Sequence, residues 1–132
     1  MISFNKETKQ IHITDNYKGR LTSSRIMSSL ILLMAAIRIY MINWDGVNEM
    51  DYIFIIVAAV FLYLVYKNFL VNTAIDTIEK YDIKYVKMPK AMGVKVTIKL
   101  NNRKIREVYG YKTPESKMKL RKMLEDAKIT VL

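Results

Sequence analysis

Lys and Arg are the residues of this sequence that most clearly could bind a ligand, because their side chains bind phosphate and carboxylate groups. The chain has 132 residues, with 22 Lys and Arg against 12 Asp and Glu, and its formal net charge is +10. The candidate binding residues are Lys95, Lys99, Arg103, Lys104, Arg106, Lys117, Arg121 and Lys122. We expect these side chains to contact anionic lipid or a protein partner.

Three roles are open for this basic cluster. It could be a solvated face that only sets topology and solubility. It could attract an anionic membrane surface, where each basic residue contributes about 1 kcal/mol within a Debye length. Nucleic-acid binding is the least favoured role, since no recognition helix or stacking motif accompanies the charge. The sequence therefore predicts no specific nucleic-acid partner.

Residues that could carry catalysis are few and scattered. The chain has no Cys and one His, His12, which lies alone in a predicted strand. Asp76, Glu79 and Asp82 are spaced three apart and could share a helix face, but the interleaved lysines favour ordinary salt bridges. The serines lack a base that would activate a nucleophile. We expect no catalytic residue, no metal site and no cofactor, and hence a protein that is not an enzyme.

Two apolar runs, at residues 26–44 and 52–71, must position this basic cluster. A helix rises about 1.5 Å per residue and the hydrocarbon core is about 30 Å thick, so about twenty apolar residues cross it. The sequence predicts transmembrane helices at residues 22–44 and 52–72, joined by an external loop at residues 45–51. Residues 1–21 and 73–132 then lie outside the bilayer.

The distribution of charge sets the orientation of this hairpin. Five Lys and Arg precede residue 26 and sixteen follow residue 66, while the connector at residues 45–51 has none. The positive-inside rule therefore places both termini in the cytoplasm. Enrichment in Ile, Lys, Asn and Tyr suggests an AT-rich bacterial genome, which concerns origin only. The predicted location is a bacterial inner membrane with both termini in the cytoplasm.

One charged residue, Arg38, interrupts the first apolar run. Its side chain could snorkel towards Asp45, Glu49 or Asp51 at the connector, or it could be a functional charge in a pore, a cavity or a partner contact. Small residues in both runs, at positions 35–36 and 58–59, would support close helix packing or homo-oligomers equally well. The sequence leaves these alternatives open.

The segments outside the apolar runs alternate as strands do. Residues 1–15 predict a β-hairpin, residues 83–88 a strand, and residues 94–109 a second hairpin that turns at Asn101 and Asn102. Residues 74–81 could be helix or strand. Thr113 and Pro114 begin an amphipathic helix at residues 113–128, and residues 129–132 should extend along a sheet.

Residues 81–87, 94–104 and 113–128 together resemble the pleckstrin-homology-like domains of small two-span bacterial membrane proteins. The resemblance covers the last half of the chain and implies a binding or scaffolding module close to the bilayer. The resulting fold class is membrane α+β, with a two-helix transmembrane hairpin and a small cytoplasmic β-rich domain that ends in an amphipathic helix. Residues 1–21 are expected to join residues 73–132 in that domain.

The leading functional hypothesis is a non-enzymatic inner-membrane protein whose basic domain binds anionic lipid or a protein partner. A second hypothesis is an oligomeric pore or membrane-disrupting effector with Arg38 facing the lumen. A third is a small subunit, or an immunity protein, of a larger membrane complex.

Overall fold

A computed structural model describes all 132 residues and contains two long apolar helices, two small antiparallel sheets and a C-terminal helix. The elements are β1 (Ile2–Asn5), β2 (Gln10–Ile13), α1 (Tyr17–Tyr40), α2 (Glu49–Tyr66), β3 (Thr77–Glu79), β4 (Ile83–Lys87), β5 (Lys95–Leu100), β6 (Ile105–Tyr109) and α3 (Pro114–Asp126). This confirms the coarse prediction of two long apolar helices with a β-rich part and a final helix. Residues Met1–Lys18 and Val71–Leu132 form a β-rich unit, and Gly19–Leu70 form a helical unit.

The first sheet has the order β1-β2-β3. Ile2 pairs with Ile13, and Ile11 pairs with Ile78 across the β2–β3 ladder, so isoleucines from all three strands face inward. Asn5 shapes the β1–β2 turn, because its Oδ1 accepts hydrogen bonds from the backbone N–H groups of Glu7 and Thr8. The strands are therefore brought together from residues on both sides of the long helices.

The second sheet has the order β4-β5-β6. Val96, Ile98 and Leu100 alternate inward from β5, as the sequence predicts. The turn that follows differs in detail from the expected one. Arg103, and neither Asn101 nor Asn102, has positive φ, at 68°. Its backbone N–H donates to the carbonyl of Leu100, which closes the turn.

Helix α3 and the tail cover the core that both sheets share. Thr113 caps α3 by accepting a hydrogen bond from the backbone N–H of Ser116, and Pro114 is the first helical residue, as predicted. Leu120 and Leu124 are buried. The tail runs beside β4 in a parallel bridge between Val86 and Val131, which confirms its expected extension along a sheet. The core residues are Ile2, Ile11, Ile13, Ile78, Val86, Val96, Ile98, Leu100, Val108, Tyr111, Leu120, Leu124, Ala127 and Ile129.

The segment between α2 and β4 is irregular. A π-helical turn at Lys67–Val71 extends α2, and β3 then leads into a 3₁₀ turn at Lys80–Asp82. Asp76, Glu79 and Asp82 therefore do not share a helix face, because they lie before, within and after a short strand. Of the two alternatives for residues 74–81, the strand is the one present.

The helical unit is built from α1 and α2, and polar contacts join the two helices at both ends. At one end Asn68 is buried and donates to the hydroxyl of Ser24, while Arg25 donates to the Asn68 carbonyl. At the other end Arg38 of α1 pairs with Asp51 of α2 at 3.5 Å, and Asp51 also forms a capping box with Asn48 at the start of α2. Helix α1 spans Tyr17–Tyr40, so it begins five residues earlier and ends four residues earlier than the predicted residues 22–44.

Candidate functional site

A pocket of about 680 Å³ in the β-rich unit is lined by six lysines and one carboxylate. Its volume lies within the usual range for small-molecule sites, about 300–1,000 Å³. The side chains of Phe4, Met123 and Ala127 give it an apolar wall, and Asp126 is the single acidic residue. The six pocket lysines are Lys6, Lys9, Lys80, Lys119, Lys122 and Lys128.

The β1–β2 turn and the 3₁₀ turn supply three of the pocket lysines. The hydrogen bonds that Asn5 accepts fold residues 6–9 into a tight loop, which carries Lys6 and Lys9. The backbone N–H of Lys80 donates to the carbonyl of Lys9 at 3.0 Å, so these two lysines are held side by side. The Lys9 ammonium lies 6.0 Å from the ring centre of Tyr81. Backbone geometry thus fixes this group of lysines.

Helix α3 and the residue pair that follows it supply the other three pocket lysines. Lys119, Lys122 and Met123 follow the i, i+3, i+4 spacing that places side chains on one helix face. Leu120 and Leu124 bury the neighbouring face in the core and so fix the rotation of the helix. Lys128 follows the last turn with a φ of 54°, and its backbone N–H donates to the carbonyl of Glu125.

Five of the six pocket lysines make no side-chain hydrogen bond and no ion pair within the protein. These are Lys6, Lys80, Lys119, Lys122 and Lys128, whereas the Lys9 ammonium lies 3.5 Å from the Tyr81 hydroxyl. Their positive charge is therefore not neutralised by a paired carboxylate. Such an arrangement can bind an anion with several negative charges.

The basic residues singled out from the sequence lie mostly elsewhere, and only Lys122 lines the pocket. On β5, Lys95 pairs with Glu107 at 3.0 Å, and the Lys99 ammonium donates to the carbonyl of Arg103 at 2.7 Å. Arg103 and Lys104 are exposed in the β5–β6 turn. We call Lys95, Lys99, Arg103 and Lys104 the hairpin group.

Two further sequence candidates on α3 have contacts within the unit. The Lys117 ammonium donates to the carbonyls of Lys90 and Ala91, at 3.2 and 2.9 Å. Arg121 pairs with Glu125 one helical turn later, at 2.8 Å, and both side chains are exposed. These contacts hold the basic side chains against their own unit.

Arg106 differs from the other sequence candidates because its side chain is fully buried. Its guanidinium donates to Asp15 at 2.7 Å and to the carbonyls of Ile75 and Glu107, and it lies 4.6 Å from the ring centre of Tyr17. The carboxylate of Asp76 is 3.6 Å away. Arg106 is therefore not part of a basic surface. It links strand β6 to the two segments that flank the long helices.

The alternation of side chains along β6 is the sequence feature that predicts the burial of Arg106. Arg106 and Val108 share one face of β6, and Arg106 pairs with Ile98, which is buried. Side chains on one face of a strand repeat every two residues, so Val108 predicts burial of Arg106. The pocket lysines of the β1–β2 turn had no comparable signal, because their proximity to α3 depends on the tertiary fold.

The side chain of Arg38 contacts the start of α2 in the helical unit. One guanidinium nitrogen lies 3.5 Å from the carboxylate of Asp51, and the group lies 5.7 Å from the ring centre of Phe54. Asp51 is nearly buried, and it also accepts a hydrogen bond from the backbone N–H of Asn48. Among the alternatives open for Arg38, pairing with Asp51 is the contact that the structure contains.

Two ionisable groups of the β-rich unit have shifted pKa values. The hydrogen bond to Glu107 raises the pKa of Lys95 above its ordinary value of 10.5, against a smaller opposing effect of burial. Burial raises the pKa of Tyr111 above 10.0, although the hydrogen bond from the backbone N–H of Ile2 opposes the shift. Neither residue lines the lysine pocket, so these pKa shifts reflect contacts within the fold and not the chemistry of the pocket.

Two helices of the chain are long and apolar enough to span a membrane. The qualifying segments are Tyr17–Tyr40 and Glu49–Val71, with mean hydropathies of 1.3 and 2.2. Only 11% and 6% of their most apolar windows are buried. The core helix of a soluble protein would be mostly buried, so these exposed apolar surfaces suggest membrane association.

Comparison with protein-family models, curated proteins and solved structures found no match to this chain.

Proposed function

We propose that this chain is a non-enzymatic membrane protein of the bacterial inner membrane, whose β-rich unit binds anions at the cytoplasmic surface. In this proposal α1 and α2 cross the bilayer as a hairpin, with both termini in the cytoplasm. The β-rich unit acts as a pleckstrin-homology-like binding module that contacts anionic lipid. Its role is positioning and binding rather than chemical conversion.

One observation carries the membrane part of the proposal, namely two apolar helices whose surfaces the chain itself leaves uncovered. Exposed apolar side chains such as Leu33, Ile56 and Leu62 are unfavourable in water and favourable in lipid tails. Backbone polar groups are satisfied within each helix, as a bilayer requires. Arg38 is tolerated because Asp51 pairs with it near the connector.

The distribution of charge supports the orientation and the anionic partner. The connector carries Asp45, Glu49 and Asp51 and no basic residue. Apart from Arg38, all Lys and Arg precede residue 26 or follow residue 66. A basic unit joined to both helices by short segments stays near the headgroups, where an anionic leaflet attracts it.

Two packed three-stranded antiparallel sheets with a C-terminal helix are compatible with the pleckstrin-homology-like arrangement proposed for the β-rich unit. In this arrangement the hairpin of long helices is an insertion between β2 and β3, which pair with each other. The insertion returns both ends of the hairpin to one sheet. The helices then anchor the module at two points.

Cysteine labelling tests the topology directly, because the chain has no native Cys. We would label the single variants Glu7→Cys, Gly46→Cys and Lys84→Cys with a membrane-impermeant maleimide in intact spheroplasts. A Cβ atom at Gly46 meets no neighbour within 4 Å, so that substitution should be tolerated. Only Gly46→Cys should react before permeabilisation. Labelling of Glu7→Cys or Lys84→Cys in intact spheroplasts would overturn the orientation, and a chain that purifies without detergent would overturn the membrane assignment.

Hydrogen exchange in nanodiscs tests the contact with anionic lipid. The intact chain would be compared in discs of zwitterionic lipid and in discs that also contain phosphatidylglycerol. We expect slower exchange in the β-rich unit in anionic discs, and loss of this protection at high salt. The variant Arg103→Glu/Lys104→Glu should reduce the protection, and Arg106 is left unchanged because it is buried. Equal exchange in both discs would overturn the lipid contact.

A further inference from the structure

We infer that the lysine pocket is a specific site for a multiply charged phosphate ester, whose apolar part lies against Phe4 and Met123. This inference names the ligand class for the proposed anion-binding role, on which it rests. It differs from general attraction to an anionic surface, because it assigns binding to one concave site. The hairpin group on β5 and β6 is not part of that site.

The charge of the pocket favours a ligand with more than one negative charge. Six ammonium groups and one carboxylate line it, and five of those ammonium groups have no partner in the protein. Like charges in one concavity repel each other, and a multivalent anion relieves that repulsion. A phosphate ester supplies several strong acceptor oxygens, for which lysine is a common ligand.

The apolar wall gives the pocket a second type of contact. Phe4 and Met123 are partly buried and pack against the core, and Ala127 is buried beside them. Small-molecule sites combine an apolar lining with a few polar groups that fix orientation. A ligand that joins phosphate groups to an apolar or aromatic moiety fits both parts of this lining, and inorganic phosphate alone fits only one.

Backbone strain is also concentrated at this pocket. Three residues other than glycine have positive φ, namely Lys9, Arg103 and Lys128, and two of them line the pocket. Lys128 occupies the position after a helix where glycine is preferred. A lysine here keeps an ammonium group at the pocket at the expense of backbone strain. Strain retained at a site is an indication of function when other observations point to the same site.

The first experiment measures binding of inorganic pyrophosphate and of ADP by calorimetry, with the intact chain in zwitterionic nanodiscs. The pocket variant is Lys6→Gln/Lys119→Gln/Lys122→Gln. The control variant, Lys84→Gln/Lys87→Gln/Lys112→Gln, removes the same charge from exposed positions outside the pocket. We expect at least tenfold weaker binding for the pocket variant and less than a twofold change for the control.

A second pair of variants separates binding from folding. Lys128→Gly and Arg103→Gly each remove one positive charge and relieve positive φ at one residue. Both should keep or raise the midpoint of thermal unfolding. Only Lys128→Gly should weaken pyrophosphate binding, by about threefold or more. This comparison remains decisive if the triple pocket variant fails to fold.

The source of the ligand is distinguished by competition. Nanodiscs that contain phosphatidic acid, which carries a phosphomonoester, are compared with discs that contain phosphatidylserine as a source of anionic charge. Weaker pyrophosphate binding in phosphatidic acid discs than in phosphatidylserine discs assigns a lipid source, and equal binding assigns a soluble one. Both results support the site if the pocket variant abolishes the binding.

Three outcomes would overturn the inference. The first is equal loss of binding in the pocket and control variants, which would leave the general anion-binding role intact. The second is absence of lysine-dependent binding with both probes and with phosphatidic acid. The third is ADP binding no tighter than pyrophosphate, which would remove the apolar part of the assignment. The labelling result for topology is independent of all three.

Discussion

The pocket lysines and the hairpin group are both clusters of positive charge in one unit, but they differ in what surrounds them. In the hairpin group, Lys95 contacts a carboxylate and Lys99 contacts a carbonyl of the same hairpin, whereas Arg103 and Lys104 are exposed in the turn. In the pocket, five of six lysines have no such contact. Basic side chains that contact their own fold stabilise it, whereas those left without partners at a concave surface are available to a ligand.

Arg106 is the extreme case of a basic residue that serves the fold. It brings together Asp15, Ile75 and Asp76, which flank the two long helices in the sequence, and Tyr17, the first residue of α1. The contrast with the pocket shows that counts of basic residues do not locate a binding site. Burial and pairing separate the two roles.

The largest expected effect is the replacement of Arg106. The variant Arg106→Leu leaves Asp15 without its charged partner, and loss of one member of a buried ion pair costs about 3–5 kcal/mol. We expect the β-rich unit to unfold at a much lower temperature, measured by circular dichroism of the intact chain in detergent. Arg106→Lys should also destabilise, because an ammonium cannot replace the planar guanidinium.

Arg121 provides the control for Arg106. Arg121→Leu breaks an exposed pair with Glu125, and exposed pairs contribute less than about 1 kcal/mol. If Arg121→Leu and Arg106→Leu lowered the unfolding temperature equally, the distinction between buried and exposed basic residues would be lost.

The contact between Arg38 and Asp51 extends the comparison to the helical unit. The Arg38 side chain is 44% exposed and Asp51 is 5% exposed. Interhelical polar contacts in membranes average about 0.6 kcal/mol. A double-mutant cycle of Arg38→Gln and Asp51→Asn, measured by unfolding in denaturing detergent, should give a coupling of about 1 kcal/mol. A coupling near zero would mean that the pair does not stabilise the hairpin.

Replacement of the pocket lysines should not lower the stability of the fold, in contrast to replacement of Arg106. The variant Lys6→Gln/Lys119→Gln/Lys122→Gln removes repulsion and breaks no contact, so the unfolding temperature should rise slightly or stay the same. The expected change in stability is within about 0.5 kcal/mol, as for surface substitutions in general. The same thermal scan as for Arg106→Leu measures it. A clear loss of stability would show that these lysines support the fold.

Much of the architecture follows from local patterns in the sequence. The alternation of Val96, Ile98 and Leu100 predicts β5, and Thr113 with Pro114 predicts the start of α3. The apolar runs predict the two long helices because hydrophobicity over twenty residues is a strong signal. The same signal does not locate the ends of the helices. Helix α1 extends back to Tyr17, whose backbone N–H donates a hydrogen bond to Asp15.

The candidate site was much harder to predict. Lys6, Lys80 and Lys128 are far apart in the sequence and belong to turns, so only the tertiary fold brings them to one pocket. The sequence favoured the densest run of basic residues instead, and of that set the pocket includes Lys122 alone. Positive φ at Lys9 and Lys128 also has no sequence signal, because Gly or Asn would be expected at such positions.

The smallest expected effect concerns pH and the two shifted groups of the β-rich unit. Lys95 and Tyr111 both have raised pKa values in the folded state, so each holds its proton more tightly there than in the unfolded chain. Their contributions to stability are complete below the unfolded values and are lost as pH rises through the folded values. Unfolding free energy should therefore fall above about pH 10.

Tyr111→Phe lowers stability at every pH, because it removes the acceptor for the backbone N–H of Ile2, so the slope of stability against pH is the diagnostic quantity. Urea titrations should give a shallower alkaline fall for Tyr111→Phe than for the exposed control Tyr81→Phe, and equal slopes would exclude Tyr111 as a source of the pH dependence.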